Sequence, residues 1–399
     1  MILLEFIEEN ARTTMINNYY DTVVVGGGIA GVAAALAAKR SGANKVLLIE
    51  KQYALGGLAT LGLVTIYLPL CDGKGNQVSY GISEELLRLS IQYGAEDKYP
   101  DAWLDNKSAK GRENQRFEVQ YNASVFAILM EQLLTREGVT ILYGTAVCGV
   151  DVNDNRIRCL FVENKSGRSA VMLKNAVDAS GDADVCKYSN TKTTEFQQKN
   201  VLAAWYYYQE KDRVNLKMLG FADIPDKYKK KEEDSKSQNR YTGLEAEELS
   251  KMTIDSHRIL LDDFLRSGGI SDTHNLTSMA SIPQVRMTRR IEGRYTLDDS
   301  DDHKCFEDSI GMIGDWRKSG PVYEIPFSCL IGREVNNLIT AGRCISVTDA
   351  MWDISRVIPA CAITGEAAGT AAALTSDFTQ LDVKQLQAIL SRNGVKLHL

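Results

Sequence analysis

The sequence predicts an α/β protein in which a parallel sheet, joined to a three-stranded β-meander, is interrupted by an inserted mixed α+β unit. Three observations carry that expectation. A β-branched run at residues 21–25 leads straight into the glycine turn 26–31, then a small-residue helix, then an apolar strand at 45–50. That unit of about 30 residues has the size of a right-handed βαβ crossover. Two turn signals, Asn153-Asp154-Asn155 and Lys165-Ser166-Gly167, each lie between β-type runs and read as a meander. The pattern changes character between about 190 and 330 and then returns to the style of the start.

Composition narrows the function classes. A chain of 399 residues suits one large domain or two ordinary ones. With 44% hydrophobic and 25% charged residues it is globular rather than disordered. Lys+Arg of 46 against Asp+Glu of 52 leaves a net charge of -6, which lacks the basic footprint of a nucleic-acid or anionic-membrane binder. No uninterrupted apolar run reaches about 18 residues, so no membrane span is expected. The start, MILLEFIEEN, has neither a basic n-region nor a long apolar core, so a signal peptide is not expected, and Met15 is an alternative start. The eight cysteines contain no C-x-x-C pair, which disfavours a zinc ribbon, an iron–sulfur cluster or a thioredoxin-like redox pair; no metal site is expected. They read as reduced thiols of a cytoplasmic protein.

The elements follow in order. Residues 1–20 read as a loosely tied arm, and the helix after the glycine turn ends at Ser41-Gly42. Ser83, Glu84 and Glu85 mark a helix start, and residues 92–116 read as a polar loop or lid. Asn122 caps a helix whose Val125, Ile128, Leu129 and Leu133 share one face, closed by Gly138. After the meander, residues 176–179 form a further strand that ends in SGDAD. Residues 201–208 (VLAAWYYY) are an aromatic β-type run, and 226–240 a charged, solvated loop. Thr242 and Glu245 read as a capping box opening a long helix that stops at Gly268-Gly269. Residues 337–342 form a strand running into glycine, and 360–374 a helix with Pro359 in its first turn.

Gly26, Gly28 and Gly31 form a G-x-G-x-x-G turn in full context, strand before and helix after. The spacing serves a tight turn, backbone approach to a pyrophosphate and close helix packing, with the helix N-terminus supplying N–H donors. Glu50 ends the next strand, where a carboxylate accepts ribose hydroxyls and repels a 2′-phosphate, so NADP is disfavoured. The domain expectation is an N-terminal arm (1–20), a discontinuous dinucleotide-binding domain (21–189 and 331–399) and an inserted substrate or cap domain (190–330).

Further motifs carry a resemblance: LGGLAT at 55–60, DASGDAD at 178–184, NLITAGRCIS at 337–346, RVIPAC at 356–361 and GEAAG at 365–369, with PQVRMTRRIEG at 283–293 and YEIP at 323–326. In this order the chain resembles the FAD-dependent oxidoreductases of the glutathione-reductase-like superfamily. The resemblance implies a Rossmann-like FAD-binding domain and FAD as cofactor. It implies that Gly26, Gly28, Ala30 and Gly31 meet the pyrophosphate, and that Glu50 and Lys51 hold the adenosine ribose. Gly56, Gly57 and Leu58 would pass backbone along pyrophosphate and flavin, Val147 would face adenine, and Ala179, Ser180 and Gly181 would close over the dinucleotide. Gly342 and Arg343 would meet the ribityl chain, and Val357 and Ile358 would aim a helix N-terminus at the flavin.

Absences also inform. No cysteine pair follows Gly57 and no second G-x-G-x-x-G follows a strand, which disfavours a flavin disulfide reductase and a built-in nicotinamide domain. Candidate catalytic residues are Arg286, Arg289 and Arg356, with Arg290 beside them, as carboxylate clamps or oxyanion stabilisers, or else as structural ion pairs. Tyr323 is a proton-relay candidate with core packing as its alternative. Trp205 to Tyr208 either line a pocket for a planar ligand or fill a core. His257, His274, His303 and His398 read as structural or exposed, and Cys344 as a minor redox candidate.

The expected function is FAD-dependent oxidation or reduction of a small organic molecule by hydride transfer between substrate carbon and flavin N5. The expected partners are a small-molecule substrate and an external electron acceptor or donor, with a homo-oligomer left open. Two alternatives stand beside it: a flavin-carrying electron-transfer subunit that needs a protein partner, and a flavin monooxygenase or halogenase.

Overall fold

The computed structural model describes residues 13–105, 111–220 and 239–399. In chain order the elements are β1 (Ile16–Val25), α1 (Ile29–Arg40), β2 (Val46–Ile49), β3 (Ile66–Tyr67), α2 (Ile82–Ser90), α3 (Asp101–Leu104), β4 (Val119–Gln120), α4 (Ala123–Arg136) and β5 (Thr140–Leu142). Then come β6 (Ala146–Asn153), β7 (Arg156–Asn164), β8 (Gly167–Asp178), α5 (Asp184–Tyr188), β9 (Thr193–Glu195), β10 (Tyr206–Glu210), β11 (Arg213–Lys217), α6 (Ala246–Arg266) and β12 (His274–Met279). The chain continues through β13 (Arg289–Ile291), β14 (Ser309–Gly314), β15 (Val322–Pro326), β16 (Leu338–Thr340), α7 (Asp349–Ser355), α8 (Ile358–Leu374) and α9 (Val383–Arg392).

The main sheet has strand order β5-β2-β1-β8-β7-β6, with β16 also on β8. β8 joins two architectures along its length. Its first half pairs antiparallel with β7, from Gly167 to Met172, while Ala176 to Asp178 pair in parallel with β16. On its other edge it runs parallel to β1. The meander turn works as its sequence suggests. Asp154 and Asn155 both take positive φ, 48° and 57°, as a two-residue type I′ hairpin requires.

α1 and α8 pack face to face across small residues. A Cβ on Gly365 would lie 2.3 Å from the Ala30 carbonyl oxygen, and one on Gly369 would lie 2.0 Å from that of Ala34. Only glycine permits this separation, and it brings the N-termini of both helices to one end of the sheet. α4 begins as expected, its Asn122 side chain accepting the Val125 amide at 3.0 Å.

Four expectations need correction. β1 starts at Ile16, not 21, because Ile16, Asn18, Tyr19 and Tyr20 find ladder partners on β8; residues 1–12 of the expected arm lie outside the described residues. The loop 92–116 contains α3, whose Trp103 is buried and stacks on Phe117 at 5.1 Å. α6 begins at Ala246, and the partner of Thr242 is Glu248 rather than Glu245: the Thr242 amide donates to Glu248 Oε1 at 2.6 Å. Most of the charged stretch 226–240 lies outside the described residues.

The fourth correction concerns the insert. Residues 190–330 do not form one unit. β10, β11, β12 and α6 gather Leu202, Tyr206, Met252, Leu260 and Phe264 into their own core. Met287, Leu297, Ile310, Ile313, Tyr323 and Ile325 instead join the main core. The reason is burial: every residue of β14 and β15 is covered, so this hairpin needs packing on both faces, and the main unit supplies it. Among the described residues no single helix is long and apolar enough to cross a membrane.

Candidate active site and cofactor cavity

The site is built where β1 meets α1. The Gly26 amide donates to the Ile49 carbonyl at 2.8 Å, and Gly26 takes a φ of 101° against the Ala179 backbone. The Gly27 amide donates to Glu50 Oε2 at 2.6 Å, and the Gln52 amide to Glu50 Oε1 at 2.7 Å. Gly28 is the N-cap of α1; no side chain caps this helix and no acid lies in its first turn. Its first N–H donors and partial positive charge therefore remain available to an anion. The second glycine turn locks onto the first, the Gly56 amide donating to the Gly27 carbonyl at 2.8 Å. A Cβ on Gly28 would meet nothing within 4 Å, whereas one on Gly57 would lie 3.3 Å from the Gly28 Cα.

A cavity of about 680 Å³ opens over these turns. The predicted Gly26, Gly28, Ala30, Glu50, Lys51, Gly56, Gly57, Leu58 and Val147 line it. Ala179, Ser180, Gly181, Arg343, Arg356 and Ile358 complete that wall. Three predicted contacts lie outside the lining. Gly31 serves packing, since a Cβ there would be 1.8 Å from the Gly26 oxygen. Gly342 turns the chain at φ 68° with its amide on Thr364 Oγ1, leaving Ala341 and Arg343 on the cavity. Val357 is the extended N-cap residue of α8, one position before the lining Ile358.

The arginine cluster is dispersed. Arg286 is buried over the Trp205 ring at 4.9 Å, with Nη2 donating to Gln284 Oε1. Arg289 donates to the Asp182 carbonyl and pairs with Asp184 at 2.9 Å. Arg290 pairs with Asp349 at 2.9 Å and stacks on Trp352. None of the three lines the cavity. The acidic partners of Arg289 and Arg290 come from α5 and α7, so these two arginines fasten β13 to its neighbours. Tyr323 is also absent from the cavity; it is a core residue whose hydroxyl donates to the Asp299 carbonyl at 3.2 Å. Arg356 is the one catalytic candidate that faces the cavity, held by buried Asp353 at 2.6 Å.

The aromatic run fills core positions. Trp205 donates to the Gly220 carbonyl and Tyr206 to Asp263, and Tyr207 lines a separate cavity of about 390 Å³. Burial pushes the Cys344 thiol well up, which keeps it protonated and unreactive. Cys361 lines the main cavity, its thiol pushed up by burial to about 11. Asp184 is likewise raised by burial and by the like charges of Asp182 and Asp178.

Sequence reasoning missed the roof. Leu249, Ser250, Thr253 and Ile254 of α6 line the cavity, as do Pro283 and Val285. Their signal was a second patch at i, i+1, i+4 and i+5 on a helix whose main apolar face lies elsewhere. Thr145 and Ala146, just before Val147, were also missed. The residues present fit a dinucleotide: an uncapped helix start, backbone without Cβ at Gly28, a carboxylate at Glu50 and a second helix start at Ile358.

The sequence matches the family described as FAD dependent oxidoreductase over residues 21–202 and 192–390. A thioredoxin reductase of Ureaplasma parvum serovar 3 is 36% identical over 121 residues, which is 26% of this chain; the chain spans only 39% of that relative's length. Among solved structures, a geranylgeranyl bacteriochlorophyll reductase-like protein from Thermoplasma acidophilum aligns with a TM-score of 0.49 at 14% identity, covering 94% of this chain and 84% of that one. The p-nitrophenol 4-monooxygenase of Pseudomonas putida aligns with a TM-score of 0.45 at 12% identity, covering 96% and 82%. The chain belongs to the FAD-dependent oxidoreductase family, and FAD is its cofactor.

Proposed function

We propose that the protein oxidises or reduces a small organic molecule by hydride transfer, using an external electron acceptor or donor for the other half-reaction. One observation supports this most. The cavity does not end at the nucleotide cradle but is walled by Pro283, Val285 and α6 from the second unit. When bound, FAD supplies the centre that accepts or gives the hydride. Arg356 would hold a carboxylate or stabilise an oxyanion of the substrate, its guanidinium oriented by Asp353. The apolar part of the roof, Leu249, Ile254, Pro283 and Val285, would exclude water from the reacting atoms. The absence of a second dinucleotide turn supports an external partner for the remaining electrons. The eight free cysteines suit the reducing cytoplasm.

The test is anaerobic bleaching of the holoenzyme against a panel of small organic metabolites. The reading expects one chemical class to bleach the flavin, or to reoxidise the reduced flavin, at a rate that matches turnover. Bleaching by no metabolite, with turnover only after a partner protein is added, would assign the chain as an electron-transfer subunit instead.

A further inference from the structure

Away from the cofactor cavity, three residues far apart in sequence bring one donor atom each to a single point. Cys305 lies in the loop before β14, Glu324 in the middle of β15, and His398 in the segment after α9. His398 Nδ1 is 3.0 Å from Glu324 Oε1 and 3.5 Å from Cys305 Sγ, and the three donor atoms all lie within 4.8 Å of one another. None of the three lines the cofactor cavity.

Glu324 is 5% exposed, so its position is fixed by the hairpin that carries it. Its Oε2 accepts the Phe306 amide at 2.8 Å, which leaves Oε1 turned toward His398. The segment after α9 is held from the other side, Ser309 Oγ donating to the Leu397 carbonyl at 2.6 Å. The cluster is therefore pinned on two of its arms by neighbouring structure.

The arrangement is not that of a cysteine nucleophile with its base. In a nucleophile–imidazole–carboxylate relay the thiol and the carboxylate use opposite ring nitrogens. Here both approach Nδ1, and one nitrogen cannot serve both with one proton. A cation placed among the three atoms can. Zinc–sulfur bonds of about 2.3 Å and zinc–nitrogen or zinc–oxygen bonds of about 2.0 Å imply tetrahedral edges of about 3.5 Å for S···N and about 3.3 Å for N···O. The observed 3.5 Å and 3.0 Å lie close to those edges.

We propose that Cys305, Glu324 and His398 form a zinc site. A thiolate, a carboxylate and a neutral imidazole carry two negative charges against Zn²⁺, and the mixed S, N, O donor set favours zinc over magnesium or calcium. Binding releases the thiol proton to solvent as the Zn–S bond forms, with no change of oxidation state. Cys305 is exposed and the His398 side chain is 44% exposed, so the fourth position belongs to water. The ion would clasp the segment after α9 to β15.

The test uses the FAD-loaded protein, dialysed metal-free and titrated with Zn²⁺ against a chromophoric chelator. One zinc per chain is expected. Cys305→Ser and His398→Ala alter exposed side chains and should each weaken binding by about tenfold or more. Zinc should slow hydrogen exchange of residues 395–399 in the parent protein and not in Cys305→Ser, while the flavin spectrum stays the same. Co²⁺ in place of zinc should give tetrahedral bands to the red of flavin absorption. Zinc affinity equal in parent, Cys305→Ser and His398→Ala, or no zinc retained by the parent, would overturn the site without touching the flavin reading.

Discussion

Arg356 and Asp353 are joined by two hydrogen bonds, Nη2 to Oδ1 at 2.6 Å and Nε to the same oxygen at 3.1 Å. Asp353 is fully buried, and its other oxygen takes Arg317 at 3.3 Å, which in turn pairs with buried Asp315 at 3.0 Å. A run of alternating charges thus ends at the one catalytic candidate that faces the cofactor cavity.

Breaking that run should be costly. Asp353→Asn leaves two guanidinium groups without their shared carboxylate and should destabilise the protein by about 3 kcal/mol, since loss of one partner strands a buried charge. Equilibrium urea unfolding checks it, and a loss under 1 kcal/mol would show that Arg356 is held by other groups.

Glu50→Arg should weaken FAD binding by roughly tenfold to a hundredfold, measured by flavin fluorescence during titration of the apoprotein. The substitution removes the acceptor of the Gly27 and Gln52 amides and sets a cation in their place. Equal FAD retention would count against Glu50 as an organiser of the turn.

Glu366 makes stability pH-dependent. Burial, with a lesser push from Glu85, raises its carboxyl from an ordinary 4.5 to about 7, although the Ile82 amide donates to it at 2.7 Å. The folded state therefore binds the proton more tightly than the unfolded state. The stability this proton contributes is complete below about pH 4.5 and is lost as pH rises through 7. The loss is on the order of 3 kcal/mol. Glu366→Gln should raise the melting temperature at pH 8 and leave it nearly the same at pH 4.5; a parallel shift at both would sink the assignment.

Tyr323→Phe should leave FAD affinity and substrate-dependent bleaching within twofold of the parent, because the hydroxyl reaches only a backbone carbonyl. Its cost is about 1 kcal/mol of stability, the net worth of one hydrogen bond. A collapse of bleaching with normal FAD binding would restore a relay role.

Gly31→Ala should cost more than an ordinary helix substitution gains. The new methyl carbon would fall 1.8 Å from a backbone oxygen that cannot rotate away. Overpacking of this kind costs about 1–3 kcal/mol, and here it also forces the phosphate turn open. Thermal melts and FAD titration report the two effects separately.

That the glycine-rich turns meet at one cavity was largely legible in the sequence, because such turns are made by backbone. Gly26, Gly56 and Gly57 stand where a Cβ would press on neighbouring atoms and Gly28 where backbone opens onto the cavity, and Glu50 is recognisable by its place at a strand end. Side-chain roles were not legible in the same way. Arg286, Arg289 and Arg290 lie within five residues of one another, yet their guanidinium groups go to Trp205, Asp184 and Asp349. Tyr323 sits in a motif, but on a strand covered on both faces.

By itself the sequence determined the βαβ start, the meander with its turn signals, and the glycine turns at 26–31 and 56–57. These rest on local backbone conformation and short-range hydrogen bonds, which neighbouring residues dictate. Only the tertiary structure decided that β14 and β15 belong to the main core, that α6 roofs the cavity, and that Cys305, Glu324 and His398 meet. Those depend on which surfaces bury one another across tens to hundreds of residues, and no local pattern encodes that pairing.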